Sequence, residues 1–223
     1  MDNEQADRER ARQIRLAAFQ RDAEPVEAAL AAAGIDTRDF ARFVNRPFPG
    51  VIEPSHFDAV RAMPVLLEWL PRVTNEDVRQ VIVRRLAVKT RDGAVADALI
   101  TELRRPGSAH YKWVVADSLA FACDKRHFAV LTELAADESL GPGRAPLVGM
   151  QWRIKTEAAD RILLTGISDP DVVWWAMSAL RRRFGSDVAR EHIRPLVQHD
   201  DARVSSAAAR QLRRIDKKLA GRG

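Results

Sequence analysis

One stretch of fourteen residues decides the predicted fold: Asn75-Glu76-Asp77-Val78-Arg79-Gln80-Val81-Ile82-Val83-Arg84-Arg85-Leu86-Ala87-Val88. Asn75 can cap a helix, and two acidic residues follow it in the first turn. Apolar residues recur at Val78, Ile82 and Leu86, which is the spacing of one buried helix face. The stretch therefore predicts an amphipathic α-helix.

The same eight-residue step returns further along the chain. It runs from Tyr111 to Leu119, from Val172 to Leu180 and from Val204 to Leu212, with a weaker copy from Gly143 to Gln151. A period of roughly thirty-odd residues, each holding a pair of helices, is typical of a stacked solenoid. In such an array each repeat buries its apolar face only against its neighbours.

Composition favours an all-α chain without disulfide bonds. Ala, Leu and Arg, all good helix formers, dominate the 223 residues, and period-two alternation is not sustained anywhere. The single cysteine, Cys123, rules out a disulfide within the chain and a metal site built on several thiolates. No apolar run has the length of a signal peptide core or a membrane span, so we expect a soluble, cytoplasmic protein.

The predicted organisation is an N-terminal helical cap over residues 1–55 and repeats over 56–223. The cap has helices at 3–21, at 24–33 and from Asp36 or Thr37 to Phe43, followed by a proline-rich connector at 46–54. Pro64 is expected to kink or split the first repeat helix. The predicted helix pairs are 56–71 with 75–88, 92–105 with 109–122, 125–136 with 142–153, 156–165 with 170–184, and 186–198 with 201–219.

The second helices of these pairs resemble the HEAT-repeat signature Asp-x-x-Val-Arg-x-x-Ala-x-x-Ala-Leu. The resemblance is carried by Asp77-Val78-Arg79, by Asp171-Val172 with Ala176 and Leu180, and by Ala202-Arg203-Val204 with Ala208 and Leu212. It covers about residues 56–219 and is of the bacterial type. It implies a right-handed α-solenoid of about five helix pairs that presents a concave surface to a partner.

Three cations, Arg79, Lys112 and Arg144, occupy the family's basic position, whereas Val173 and Ser205 depart from it. In a stacked array they would form a cationic row suited to a phosphate backbone or an acidic peptide. The structural alternative, which the resemblance also implies, is that each bonds an aspartate of a neighbouring repeat and fixes the stacking. Asp77 and Asp171 are the acids available for that role, and Asp117 is a further acid on a second helix of a pair.

Charge along the chain adds a second candidate surface. Residues 181–223 carry 12 Lys or Arg against 5 Asp or Glu, a net charge of +7, whereas residues 1–180 sum to −2. This excess indicates either an anionic partner such as nucleic acid or a solvated helix face with a frayed tail. The two alternatives stay open at this point.

Five tryptophans lie one or two to a repeat, at positions 69, 113, 152, 174 and 175. Adjacent helix residues lie about 100° apart, so one of Trp174 and Trp175 is expected to point away from the core as a partner anchor. The alternative is packing between repeats. The candidate partner-binding residues are Arg79, Lys112, Trp113, Arg144, Trp174 and Arg181.

An enzymatic alternative rests on Trp113, Asp117 and Arg144. These three resemble the Trp, Asp and Arg cluster of the HEAT-like alkylpurine DNA glycosylases, in which the Asp assists loss of a cationic base. That family carries a further Trp in a Trp-x-Leu-Arg stretch, where this chain has Ser178-Ala179-Leu180-Arg181. No nucleotide-binding or hydrolase motif occurs, and no two histidines have helical ligand spacing.

We therefore expect a non-enzymatic scaffold or adaptor that binds a protein or peptide on its concave surface. Nucleic-acid binding and alkylpurine excision are the alternatives. No cofactor, metal ion or membrane contact is expected, and the oligomeric state is open.

Overall fold

A computed structural model describes residues 3–41, 57–88 and 93–220 of the chain. All regular structure in these ranges is helical: eleven α-helices and several short 3-10 turns. This confirms the predicted all-α class. The predicted connector at 46–54 and the predicted boundary after residue 55 lie outside the described residues. No helix in the described ranges is long and apolar enough to cross a membrane.

The chain forms two compact units, Met1–Gly107 and Ser108–Gly223. The first unit contains α1 (Asn3–Ala32), α2 (Ala59–Trp69), α3 (Glu76–Arg85) and α4 (Ala94–Arg104). The second contains α5 (Ala109–Ala122), α6 (Phe128–Ala136), α7 (Ala145–Met150), α8 (Glu157–Gly166), α9 (Val173–Phe184), α10 (Ser186–Ile193) and α11 (Ala202–Ala220).

A single helix, α1, replaces the two helices predicted at 3–21 and 24–33. Phe19, Ala23, Val26 and Leu30 form one buried stripe in the second half of α1, and α1 packs against α2 and α3. Pro25 lies inside the helix but on its exposed side. Arg21, whose carbonyl loses its backbone partner at this proline, is itself an exposed residue, and the helix continues through Pro25.

Two further differences concern residues near the start of the predicted repeats. Residues 38–41 form turns, so the predicted helix after Asp36 or Thr37 is wrong over its described part. The Asp36 carboxylate instead accepts hydrogen bonds from the backbone and the guanidinium of Arg38. Helix α2 runs through Pro64 without being split, again with the proline on the exposed side.

Helix α3 matches the quoted stretch closely. The Asn75 Oδ1 atom accepts from the backbone N–H of Asp77 at 3.0 Å, and Val78, Ile82 and Leu86 are fully buried. Arg15 of α1 pairs with Asp77, and the Asn75 amide donates to Asp22 at 3.0 Å, so α1 is tied to the start of α3.

The second unit has a regular pattern of contacts between alternate helices. Helix α7 packs against both α5 and α9, and α9 also packs against α11. We call α5, α7, α9 and α11 the odd-helix row. The even-numbered helices lie against this row, because α6 contacts α7, α8 contacts α9, and α10 contacts both α9 and α11.

The weakest predicted repeat departs most from regular helix. The expected helix at 142–153 is a 3-10 turn over Glu138–Arg144, then α7, then a second 3-10 turn over Gln151–Arg153. Gly141 has a positive φ of 52°, which interrupts the helical path just before Pro142. Gln151, at an expected leucine position, is fully buried, and its amide donates to the carbonyls of Leu131 and Leu147.

Candidate binding site

Arg79, the first cation of the predicted row, is buried within the first unit. Its side chain is only 7% exposed, and its Nε donates to Glu102 Oε1 at 2.7 Å in an ion pair with that carboxylate. Glu102 also pairs with Arg105 at 3.0 Å. A buried guanidinium held by a buried carboxylate joins α3 to α4, and it presents no exposed charge.

Arg144 has the same character in the second unit. Its side chain is 8% exposed, its Nη1 donates to the carbonyl of Ala135 at 2.9 Å, and its Nη2 pairs with Asp169. Its Nε has no hydrogen-bond partner among the described residues. The group is directed into the protein and links the start of α7 to the turn before α9.

These two pairs favour the structural alternative for Arg79 and Arg144, although the partners differ from those expected. Asp77 pairs with Arg15, and Asp171 accepts a hydrogen bond from Arg203 at 3.3 Å. The acids that hold the two buried arginines are Glu102 and Asp169 instead. Sequence spacing identified the buried cations but not their carboxylates, which lie on α4 and in the segment between α8 and α9.

Lys112 is half-buried and is the one member of the predicted row that keeps some exposure. A Cβ on Gly143 would lie 2.7 Å from the Lys112 Cβ, so only glycine allows this approach of the turn to α5. The pKa of Asp137 lies below its ordinary value, chiefly because Ser139 donates to its carboxylate, and Lys112 and Arg144 attract the charged form further. Lys112 therefore stands beside an acidic group.

An aromatic pair links α5 to α9. The rings of Trp113 and Trp175 meet edge-on, with centroids 6.2 Å apart and planes at 60°. A Cβ on Gly149 of α7 would lie only 2.6 Å from the Trp175 ring, so the ring rests directly on the α7 backbone. Both rings are half-buried. We call Trp113, Gly149 and Trp175 the tryptophan surface.

Trp174 is half-buried as well, so neither tryptophan of the adjacent pair projects freely into solvent. The Arg214 guanidinium lies over the Trp174 ring, 4.7 Å from its centroid. Arg181 is half-buried one heptad further along α9 and forms no ion pair with the described residues. Trp175, which is not among the binding residues predicted from the sequence, is the member of the pair that meets Trp113.

Asp117, the acid of the enzymatic alternative, is half-buried one helical turn after Trp113 on α5. Ser178 is half-buried on α9, at the position where the glycosylase pattern has its other aromatic. In the described ranges, no group of three or more His, Cys, Asp or Glu is placed to hold a metal ion.

Comparison with protein-family models, with curated proteins and with solved structures found no match to this chain. The residues and contacts of the chain itself are therefore the basis for assigning a function.

Proposed function

We propose that the chain is a non-enzymatic binding protein, built as a right-handed HEAT-like α-solenoid of about five helix pairs. In this proposal the surface of α5, α7 and α9 holds a protein or peptide partner. The observation that carries the proposal is the tryptophan surface, where Trp113 and Trp175 meet across α7 and are both half-buried.

The contacts within the second unit support a solenoid. Each member of the odd-helix row packs against the next member, two helices further along the chain, which is how the inner helices of a stacked array meet. The Arg144–Asp169 and Arg203–Asp171 bonds join residues 25 and 32 positions apart, about one repeat. In the proposed solenoid, these bonds would connect consecutive repeats.

Close packing between α8 and α9 adds to this support. A Cβ on Gly166 would lie 3.0 Å from the Cβ of Ala176, and Ala176 is fully buried. Small residues at this position let two helices approach closely, as the HEAT-like pattern requires for each pair.

The chemistry around the tryptophan surface fits a polypeptide partner. Lys112 and Asp117 flank Trp113 on α5 and bring opposite charges beside an aromatic surface. Interfaces between proteins are enriched in tryptophan at their centre and have mixed polar groups at the rim. A surface that carries both positive and negative charges suits an extended peptide better than it suits a uniformly charged polyanion.

Selection from a random peptide library tests the proposal, since such a library needs no named partner. Peptides enriched on the wild-type protein should lose affinity for Trp113→Ala by about 2 kcal/mol, roughly thirty-fold in Kd, because a central tryptophan anchor is removed. Isothermal titration calorimetry measures the loss, and circular dichroism checks that the variant remains helical.

Trp69→Ala is the matched control, because Trp69 is a half-buried tryptophan of the first unit with Arg72 near its ring. It should bind the selected peptides as the wild-type protein does. Peptides that bind all three proteins equally, or selections that enrich nothing, would contradict the proposal.

A further inference from the structure

The last helix carries a row of exposed cations that the tryptophan surface does not use. Arg210, Arg213, Arg214 and Lys217 are all exposed and follow one another at steps of three, one and three residues. On an α-helix this spacing places four side chains within about 100° of one another. We call these four residues the α11 basic stripe.

The opposite face of α11 is packed into the second unit. Val204, Ala208 and Ile215 are fully buried, and α11 contacts both α9 and α10. Among the described side chains of α11, no large apolar residue is exposed. The stripe is therefore a purely cationic outer face with no apolar residue that could insert into a partner.

The charge of the stripe is not cancelled locally. Arg210, Arg213 and Lys217 form no ion pair with the described residues. Two nearby arginines do form ion pairs. Arg203 pairs with Asp171 and Asp201, and Arg190 pairs with Asp216. The stripe contains four of the twelve Lys and Arg residues in 181–223.

Helix α9 extends the cationic face. Trp174 lies beneath the Arg214 guanidinium, which fixes one cation of the stripe against α9. Arg181 follows Trp174 by seven residues and so lies on the same side of α9, without an ion pair in the described region.

We propose that the α11 basic stripe, together with Arg181, binds the phosphate backbone of duplex nucleic acid without reading its base sequence. Four of the five cations are arginines, whose planar guanidinium groups suit phosphate oxygens. A peptide interface would need an apolar anchor, and the one aromatic ring here is covered by Arg214. A membrane-surface helix would need a free apolar face, but that face of α11 is buried.

Fluorescence anisotropy with a short labelled DNA duplex of arbitrary sequence tests the site. The wild-type protein should bind at low salt and lose affinity steeply between about 50 and 200 mM salt. The triple variant R210Q/R213Q/K217Q should bind about tenfold or more weakly at low salt. The slope of log K against log salt should fall in magnitude by about 2–3, as three phosphate contacts are lost.

The matched control is R153Q/K155Q/R161Q, which removes three exposed cations of the same unit that lie outside the stripe. It should retain most of the affinity and the wild-type slope. Absence of duplex binding at low salt, an equal loss in the control, or equally tight binding of a poly-glutamate peptide would overturn the proposal. The stripe and the tryptophan surface are independent, so Trp113→Ala should leave duplex binding intact even if the peptide proposal fails.

Discussion

At the scale of single residues, two buried glutamines in the second unit have opposite hydrogen-bond status. The Gln151 amide accepts from Thr132 and donates to two backbone carbonyls. Gln211, 1% exposed on α11, has no partner for either its Oε1 or its Nε2 among the described residues. A buried polar group without a partner costs about 1–3 kcal/mol, whereas a bonded one does not.

Replacement of each glutamine by methionine, which has similar length, should therefore change stability in opposite directions. We expect Gln211→Met to raise the free energy of unfolding by about 1–2 kcal/mol, because two unsatisfied groups are removed. Gln151→Met should lower it by about 1–3 kcal/mol, because buried partners are left unbonded. Urea denaturation monitored by circular dichroism measures both. If Gln211→Met destabilises as much as Gln151→Met, the Gln211 amide has a hydrogen-bond partner in solution, such as an internal water.

The two glutamines also show what spacing can and cannot predict at this scale. The eight-residue step placed Gln151 at a core position, and it is fully buried there. On α11 the same step pointed to Leu212, but Leu212 is half-buried and Gln211 lies inside instead. The predicted pattern assumes the same rotation for every second helix, whereas α11 places Gln211 rather than Leu212 on its buried face.

At the scale of helices, α8 and α9 approach each other closely at Gly166 and Ala176. Ala176→Leu adds volume where no space exists, so we expect the free energy of unfolding to fall by about 1–3 kcal/mol. Ala158→Leu is the matched control, because Ala158 is exposed on α8, and it should change stability by less than about 0.5 kcal/mol. Thermal and urea unfolding compare the two. Equal stability of both variants would mean that α8 and α9 do not pack in this register.

Most helices were predictable because each carries its own boundary signals. Asn75, Ser108 and Thr156 all cap helices through their side chains, as residues of these types are expected to. Two of the errors came from prolines. Pro25 and Pro64 were expected to start or break helices, but both sit on exposed sides where tertiary packing outweighs the lost hydrogen bond.

The candidate site was less predictable than the helices, since it depends on which side chains meet across helices. Trp113 was found from the sequence, but its contact with Trp175 depends on Gly149 in α7, a residue that no repeat position marks. The buried arginines were found too, but Glu102 and Asp169 were not. Contact between residues distant in sequence is set by the packing of helices, and one sequence carries little information about it.

At the scale of the whole molecule, two groups of cations differ in their surroundings. Arg79 and Arg144 are buried and paired, so they act within the protein. The α11 basic stripe is exposed, and three of its members form no ion pair with the described residues. Arg79 and Arg144 thus contribute to packing, whereas a partner in solution would meet the exposed stripe.

Catalysis requires a complete set of chemical groups on one surface. Excision of an alkylated purine needs a carboxylate near the sugar, aromatic surfaces around the lesion and a cation at the phosphate. Asp117 and Trp113 have the required helical spacing, but Arg144 is buried against Asp169, and Ser178 stands where the family has a second aromatic. We therefore expect no release of methylated bases when the wild-type protein is incubated with alkylated duplex DNA.

The assay separates free base from DNA by chromatography, with an established alkylpurine glycosylase as positive control. Asp117→Asn should alter thermal stability and leave the base-release trace at background, because Asp117 is half-buried within a packed helix. If the wild-type protein releases base and a folded Asp117→Asn variant does not, the enzymatic alternative is supported and our prediction is wrong. In that case Arg144 would have to exchange Asp169 for a phosphate during catalysis, and Asp169→Asn would accelerate release by freeing the guanidinium.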